Sequence, residues 1–238
     1  MEKEVKKSNL PEHVAVIMDG NGRWAKKQGA ARVFGHKNAI QAVRECVEGC
    51  AEKGINHLTL YAFSTENWGR PKLEVDALMQ LLVSTIKSEM KTLKKNNVRL
   101  SAIGDIENLP SKCYKELTAA MEETKEFTGL NLILALNYSG KWDMTQATKK
   151  ILEKGHSAEE VTPELIAKNL STAGILDPEL LIRTSGEFRI SNFMLWQMAY
   201  TEIYITDVLW PDFRKTHLNE ALDNYLLRER RFGKVLTE

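Results

Sequence analysis

The run His13-Val-Ala-Val-Ile-Met-Asp-Gly-Asn-Gly-Arg-Trp-Ala25 decides the fold. A short apolar stretch breaks at Asp19 into a turn with glycines at 20 and 22, as a buried strand does where it meets the ligand-binding edge of an open α/β sheet. Glycine lets the backbone approach a phosphate closely, and a helix beginning after the turn would offer unpaired N–H groups. A tight turn that needs positive φ at Gly20 or Gly22 would use the same residues.

Outward from that turn, apolar runs alternate with helical periods. Strands are expected at about 13–18, 57–63, 98–103, 131–136, 180–183 and 202–206. Helices are expected at about 35–53, 73–95, 111–127, 141–154, 163–170 and 216–230. The order predicts one α/β domain over 1–238, with a mostly parallel central sheet flanked by helices and residues 1–10 flexible. Leu78, Leu81, Leu82, Ile86, Met90 and Leu93 form one stripe in the 73–95 helix. It reads as core, or as the lining of an apolar tunnel between sheet and helices.

The 238 residues carry 33 Lys and Arg against 32 Asp and Glu, a formal charge of +1, so no global field draws the chain to nucleic acid. Any anion site must be local. Three cysteines, Cys46, Cys50 and Cys113, read as buried free thiols. No secretory segment opens the chain, and no run approaches the ~18 apolar residues of a membrane-spanning helix. A cytoplasmic setting is expected. The basic stretch from Arg228 reads as a solvated helix end.

Gly20-x-Gly22-x-x-Ala25 also matches a loose dinucleotide fingerprint. Asp19 argues against it, because its charge would repel a pyrophosphate unless a cation stood between them. The next strand ends Ala62-Phe63-Ser64, with no acidic residue for a ribose. A carboxylate beside a phosphate loop is better read as a ligand of Mg²⁺, which takes one or two carboxylates and completes its shell with phosphate oxygens and water. Arg23, Arg32 and His36 gather cationic side chains beside the turn. Ser64-Thr65-Glu66-Asn67-Trp68-Gly69-Arg70 forms a polar and aromatic loop at the same edge. Arg183 closes a later strand, and Arg189 and Ser191 follow it as a second anion site. Glu202, at the start of the next apolar run, is a candidate second carboxylate for the cation.

Five blocks, 13–25, Phe63-Ser-Thr-Glu-Asn-Trp68, Arg183-Thr-Ser-Gly-Glu187, Arg189-Ile-Ser-Asn-Phe193 and Trp210-Pro-Asp-Phe213, together resemble the undecaprenyl diphosphate synthase family of cis-prenyltransferases over roughly 10–233. The resemblance implies Mg²⁺ on Asp19 with Glu202. It places the allylic diphosphate, farnesyl diphosphate, on Gly20, Asn21, Gly22, Arg23, Arg32 and His36, with Trp24 near the first prenyl unit. It places isopentenyl diphosphate on Arg183, Arg189 and Ser191, beside Ile190. Ser64, Thr65, Glu66, Asn67, Trp68 and Arg70 would form the loop over both, with Asn67 assigned a part in proton removal, although a neutral amide is a poor base. It further implies an undecaprenyl product, a homodimer, and peripheral membrane contact for product release. A non-catalytic prenyl-binding subunit would lack the Asp19 loop or the Arg183–Ser191 site, and both are present. Ser139, Lys141 and Phe188 depart from the family pattern.

Overall fold

The computed structural model describes residues 9–229. Residues 1–8, and the basic stretch beyond residue 229, lie outside them. Leu10, expected within a flexible end, packs against the core.

Six strands form one sheet: β1 (His13–Ile17), β2 (His57–Ser64), β3 (Arg99–Ile103), β4 (Asn131–Tyr138), β5 (Leu180–Arg183) and β6 (Glu202–Ile205). The order is β3-β4-β2-β1-β5-β6, and every described pairing is parallel. The helices are α1 (Asn21–Lys27), α2 (Arg32–Lys53), α3 (Lys72–Lys95), α4 (Ser111–Thr124), α5 (Gly140–Glu153), α6 (Pro163–Asn169) and α7 (Lys215–Leu226). The short α1 stands where only a helix start was expected. The last helix ends at Leu226 rather than at residue 230.

A parallel sheet is buried on both faces, which is why β1 and β5 read as unbroken apolar runs. Side chains alternate between two clusters. Val14, Val16, Leu58, Leu60, Leu180 and Ile182 face the larger, under α2, α3, α4 and α7. Ala15, Ile17, Ile133 and Leu181 face the smaller, which Phe193 and Met194 complete. Cys46, Cys50 and Cys113 are buried and free, and no described helix is long and apolar enough to cross a membrane.

The chain leaves β1 toward β2 on one side and reaches β5 on the other, so the switch in strand order falls at the carboxyl ends of β1 and β5. Ligands of open α/β sheets bind at such a point. Ile17 pairs with Arg183 across it, which places Asp19 just beyond the rim on which Arg183 sits.

Candidate active site

Gly20 has φ 103°, and a Cβ there would lie 2.9 Å from Leu209 Cδ2, so this glycine is required by both conformation and space. Gly22 is helical instead. A Cβ on it would lie 2.9 Å from Arg32 Nε, so the missing side chain makes room for that guanidinium. Of the two glycines, only Gly20 needs positive φ.

Asp19 is held from all sides. Gly20 N–H donates to its Oδ1 at 2.6 Å, Arg183 Nη2 donates to Oδ2 at 2.9 Å, and Arg23 stands 3.5 Å from Oδ2. Its backbone N–H donates to Thr184 Oγ1 at 2.9 Å, and Trp210 N–H donates to its carbonyl at 3.0 Å. Burial alone would raise the carboxyl pKa, but the bonds from Arg183 and Gly20 and the two guanidinium charges outweigh it and hold Asp19 below its ordinary value. It is therefore ionised at neutral pH.

Arg183, only 3% exposed, is fixed by its own loop. Nη1 donates to Ser191 Oγ at 2.9 Å and to the Arg189 carbonyl. Ser185, Ser191, Asn192 and Met194 adopt positive φ, so residues 185–194 coil tightly around it at some conformational cost. Arg183 Nε and Asn21 Oδ1 are buried without partners, and both residues line one cavity. Arg23 Nη1 donates to the Ser185 carbonyl at 3.0 Å and pairs with Glu187 at 3.1 Å. Arg189 pairs with Glu187 as well.

Across the rim, Arg70 Nη1 reaches Glu74 Oε1 at 3.2 Å and Arg32 Nε the same oxygen at 3.6 Å. Burial and the charges of Arg70 and Arg32 outweigh the opposing Glu74 and lower the His36 pKa to about 4, so it is a neutral imidazole at pH 7. In the loop after β2, Asn67 Oδ1 accepts from Ser64 N–H at 3.2 Å, and Trp68 Nε1 donates to Asn137 Oδ1 at 2.8 Å. Thr65 Oγ1 donates to Glu66 at 3.2 Å. Trp24 stacks on Phe34 at 5.8 Å and donates to Asp212 at 2.8 Å.

Asp19, Asn21, His36, Ser64, Glu66, Asn67, Arg70, Arg183, Arg189 and Ser191 share the wall of one cavity of about 700 Å³. Beneath them its lining is apolar. Leu60, Leu100, Leu132 and Leu136 come from the sheet, Ala39, Val43 and Val47 from α2, and Leu78, Leu82, Ile86 and Leu93 from α3. Along the α3 stripe Ile86 and Leu93 are buried and Leu78, Leu81 and Leu82 half-buried, and all five line the cavity. Gly20, Gly22, Arg23, Trp24, Arg32, Thr65, Trp68 and Ile190 are not on that wall. Ile190 packs into the smaller core cluster.

Glu202 stands apart from Asp19. It opens β6 opposite Leu180, at the amino edge of a parallel sheet, and its carboxylate accepts from Arg228 Nη1 at 2.7 Å. Strand direction puts it at the wrong end to share a cation with Asp19 within one chain. No cluster of three His, Cys, Asp or Glu occurs among the described residues.

Three contacts of the site come from the packing rather than from the sequence. Glu74 becomes visible as the shared partner of Arg32 and Arg70 only once α3 lies beside α2, although its i, i+4 spacing from Arg70 is a weak signal. Asn192 ties the second anion loop to the first: Nδ2 donates to Glu66 Oε1 at 2.8 Å, and Oδ1 accepts from Lys141 N–H at 3.0 Å. Thr184, inside the Arg183–Glu187 block, holds the Asp19 backbone. Ser139 caps α5 by accepting from Trp142 N–H, the Lys141 contact is made by backbone, and the Phe188 side chain is 85% exposed.

An ionised carboxylate, arginines on two neighbouring loops and an apolar slot beneath them match the fold and the chemistry of a prenyltransferase. The family model described as "Putative undecaprenyl diphosphate synthase" matches residues 17–233, and the chain belongs to that family. A relative from Haemophilus ducreyi named ditrans,polycis-undecaprenyl-diphosphate synthase ((2E,6E)-farnesyl-diphosphate specific) is 51% identical, covering 95% of each chain. An isoprenyl transferase from Clostridium tetani is 49% identical over 95% of this chain and 91% of its own. Among solved structures, lavandulyl diphosphate synthase from Lavandula x intermedia with dimethylallyl diphosphate superposes with TM-score 0.91 at 33% identity, over 95% of this chain and all of that one.

Proposed function

We propose that this chain extends farnesyl diphosphate by successive cis additions of isopentenyl diphosphate, giving undecaprenyl diphosphate for a cell-wall lipid carrier. The observation that carries the reading is one slot with both anion loops at its mouth. The names of relatives at about half identity support the substrates.

In each round the allylic C1–O bond breaks, C1 joins the isopentenyl C4, and a proton leaves the isopentenyl C2. The residues around Gly20, with Arg32, His36 and Arg70, hold the departing diphosphate, and neutral His36 donates or accepts there without adding charge. Arg183, Arg189 and Ser191 hold the isopentenyl diphosphate. The apolar wall keeps water from the allylic cation. Asn67 orients the loop, since its Oδ1 is engaged by Ser64 N–H, and the departing diphosphate takes the proton. Asp19 is suited to Mg²⁺ and, with Asn21 Oδ1 as an unpartnered acceptor two residues on, would hold it. Bound Mg²⁺ would neutralise charge on the leaving diphosphate. Each buried CH₂ is worth about 0.8 kcal/mol, so a long product binds tightly and its release limits turnover. We place the working form in the cytoplasm as a homodimer, with peripheral membrane contact at release.

The test is incubation with farnesyl diphosphate, labelled isopentenyl diphosphate and Mg²⁺, followed by sizing of the products. Long cis-polyprenyl diphosphates are expected. Absence of incorporation would remove the reading.

A further inference from the structure

Two charged side chains stand on the wall of the otherwise apolar slot, away from its mouth. Arg44 of α2 and Glu89 of α3 both line the cavity, and the guanidinium grips the carboxylate at two points, Nη2 to Oε1 at 2.6 Å and Nε to Oε2 at 3.1 Å. Arg44 is 41% exposed and Glu89 13%, so the pair turns one side to solvent and the other to the slot. Eight residues separate His36 from Arg44, about 12 Å along a helix, which sets the pair well below the headgroup residues. Further along, the seam between α2 and α3 meets a polar notch at Glu48, Glu52 and Lys95, and Thr92 lines both notch and slot.

Neither anion site uses this pair, and its two-point grip joins α2 to α3 across the wall. The size of the product gives it a task. With four carbon–carbon bonds of about 1.5 Å per isoprene unit, eleven units extend on the order of 50 Å. The α3 wall from Leu78 to Leu93 spans only about 22 Å. A long chain must bend within the slot or leave through a side, and the α2–α3 seam is a side with a short route to solvent.

We propose that Arg44 and Glu89 form a cross-brace that closes this seam, keeps the growing chain in the slot and so fixes how many units are added. The inference rests on the elongation reading above. Both are positioning residues: they act on the helix spacing and leave the reacting atoms to the rim.

The experiment sizes products from wild type, Glu89→Gln, Arg44→Met and the exchanged pair Arg44→Glu/Glu89→Arg, with thermal unfolding measured on each. Glu89→Gln keeps the side-chain shape and Arg44→Met keeps much of the stem, so each reads the brace independently. Each single substitution is expected to raise the share of products longer than the wild-type maximum at least threefold, with the first condensation within twofold of wild type. The exchanged pair should restore the wild-type distribution. Unchanged lengths in both single variants, or an exchanged pair that behaves like them, would overturn the brace, as would a fall in melting temperature alone. A wild type that adds no isopentenyl units strikes the elongation reading instead, so the two failures are separable.

Discussion

Arg183 Nη2 donates to Asp19 Oδ2 at 2.9 Å, joining the carboxyl ends of β5 and β1 at the point where the strand order switches. The bond makes one rim of two loops that are 164 residues apart in sequence. It also keeps the carboxylate ionised, in spite of partial burial.

Asp19→Ala is expected to fold, because the residue is half-buried and its backbone contacts to Thr184 and Trp210 remain. Loss of a charge-stabilising group at a reacting centre costs about 10²–10³ in kcat. Steady-state kinetics would show that fall in a protein that still unfolds cooperatively, and an unchanged kcat would take Asp19 out of the chemistry.

Gly35→Ala tests the packing behind the site. A Cβ at Gly35 would lie 2.0 Å from the Asn21 carbonyl oxygen, so α2 must move away from α1 and disturb the Gly20–Gly22 turn. Overpacking of this kind costs about 1–3 kcal/mol. Denaturant unfolding should report that loss together with reduced activity; native stability and rate would refute the close approach.

Acid sensitivity follows from His13. Its Nε2 meets Thr59 Oγ1 at 2.7 Å and its Nδ1 meets the Leu176 carbonyl, which can only accept, so Nδ1 carries the proton. Burial, with the neighbouring His57, outweighs the opposing Leu176 carbonyl and Glu179 and lowers its pKa to about 4. A folded pKa below the unfolded value means that stability is present above about pH 6.5 and is lost as pH falls toward 4. For one such histidine the loss between pH 8 and 5 is roughly 2 kcal/mol. His36, also held near 4, adds to it with the same sign. His13→Asn should flatten the pH dependence of unfolding free energy, and an unaltered slope would contradict the buried neutral imidazole.

Ala39 lies one helical turn below His36 on the slot wall. Ala39→Leu narrows the slot, and the products should shorten while the first condensation persists. Products of native length would show that the tail does not pass this wall.

Much of this was legible before the structure. The short unbroken apolar runs of β1 and β5, bounded by turn signals, fit strands of a sheet buried on both faces, and the turns after them, Asp-Gly and Arg-Thr-Ser-Gly, lie at its carboxyl edge. The same logic, taken further, places Glu202 correctly: a residue that begins a parallel strand lies at the opposite edge from one that ends it. The contacts of Glu74 and Asn192 were hidden for another reason. Their partners lie on other elements, and α2–α3 spacing and loop coiling are set by packing, which local sequence does not encode.

The central claim is that two diphosphates sit together at the Asp19–Arg183 rim. Calorimetric titration of isopentenyl diphosphate and Mg²⁺ into protein saturated with a non-reacting farnesyl thiolodiphosphate tests it most directly. The account predicts one isopentenyl diphosphate per chain with the farnesyl analogue still bound, and loss of the isopentenyl diphosphate in Arg183→Ala. Mutual displacement of the two ligands would contradict it.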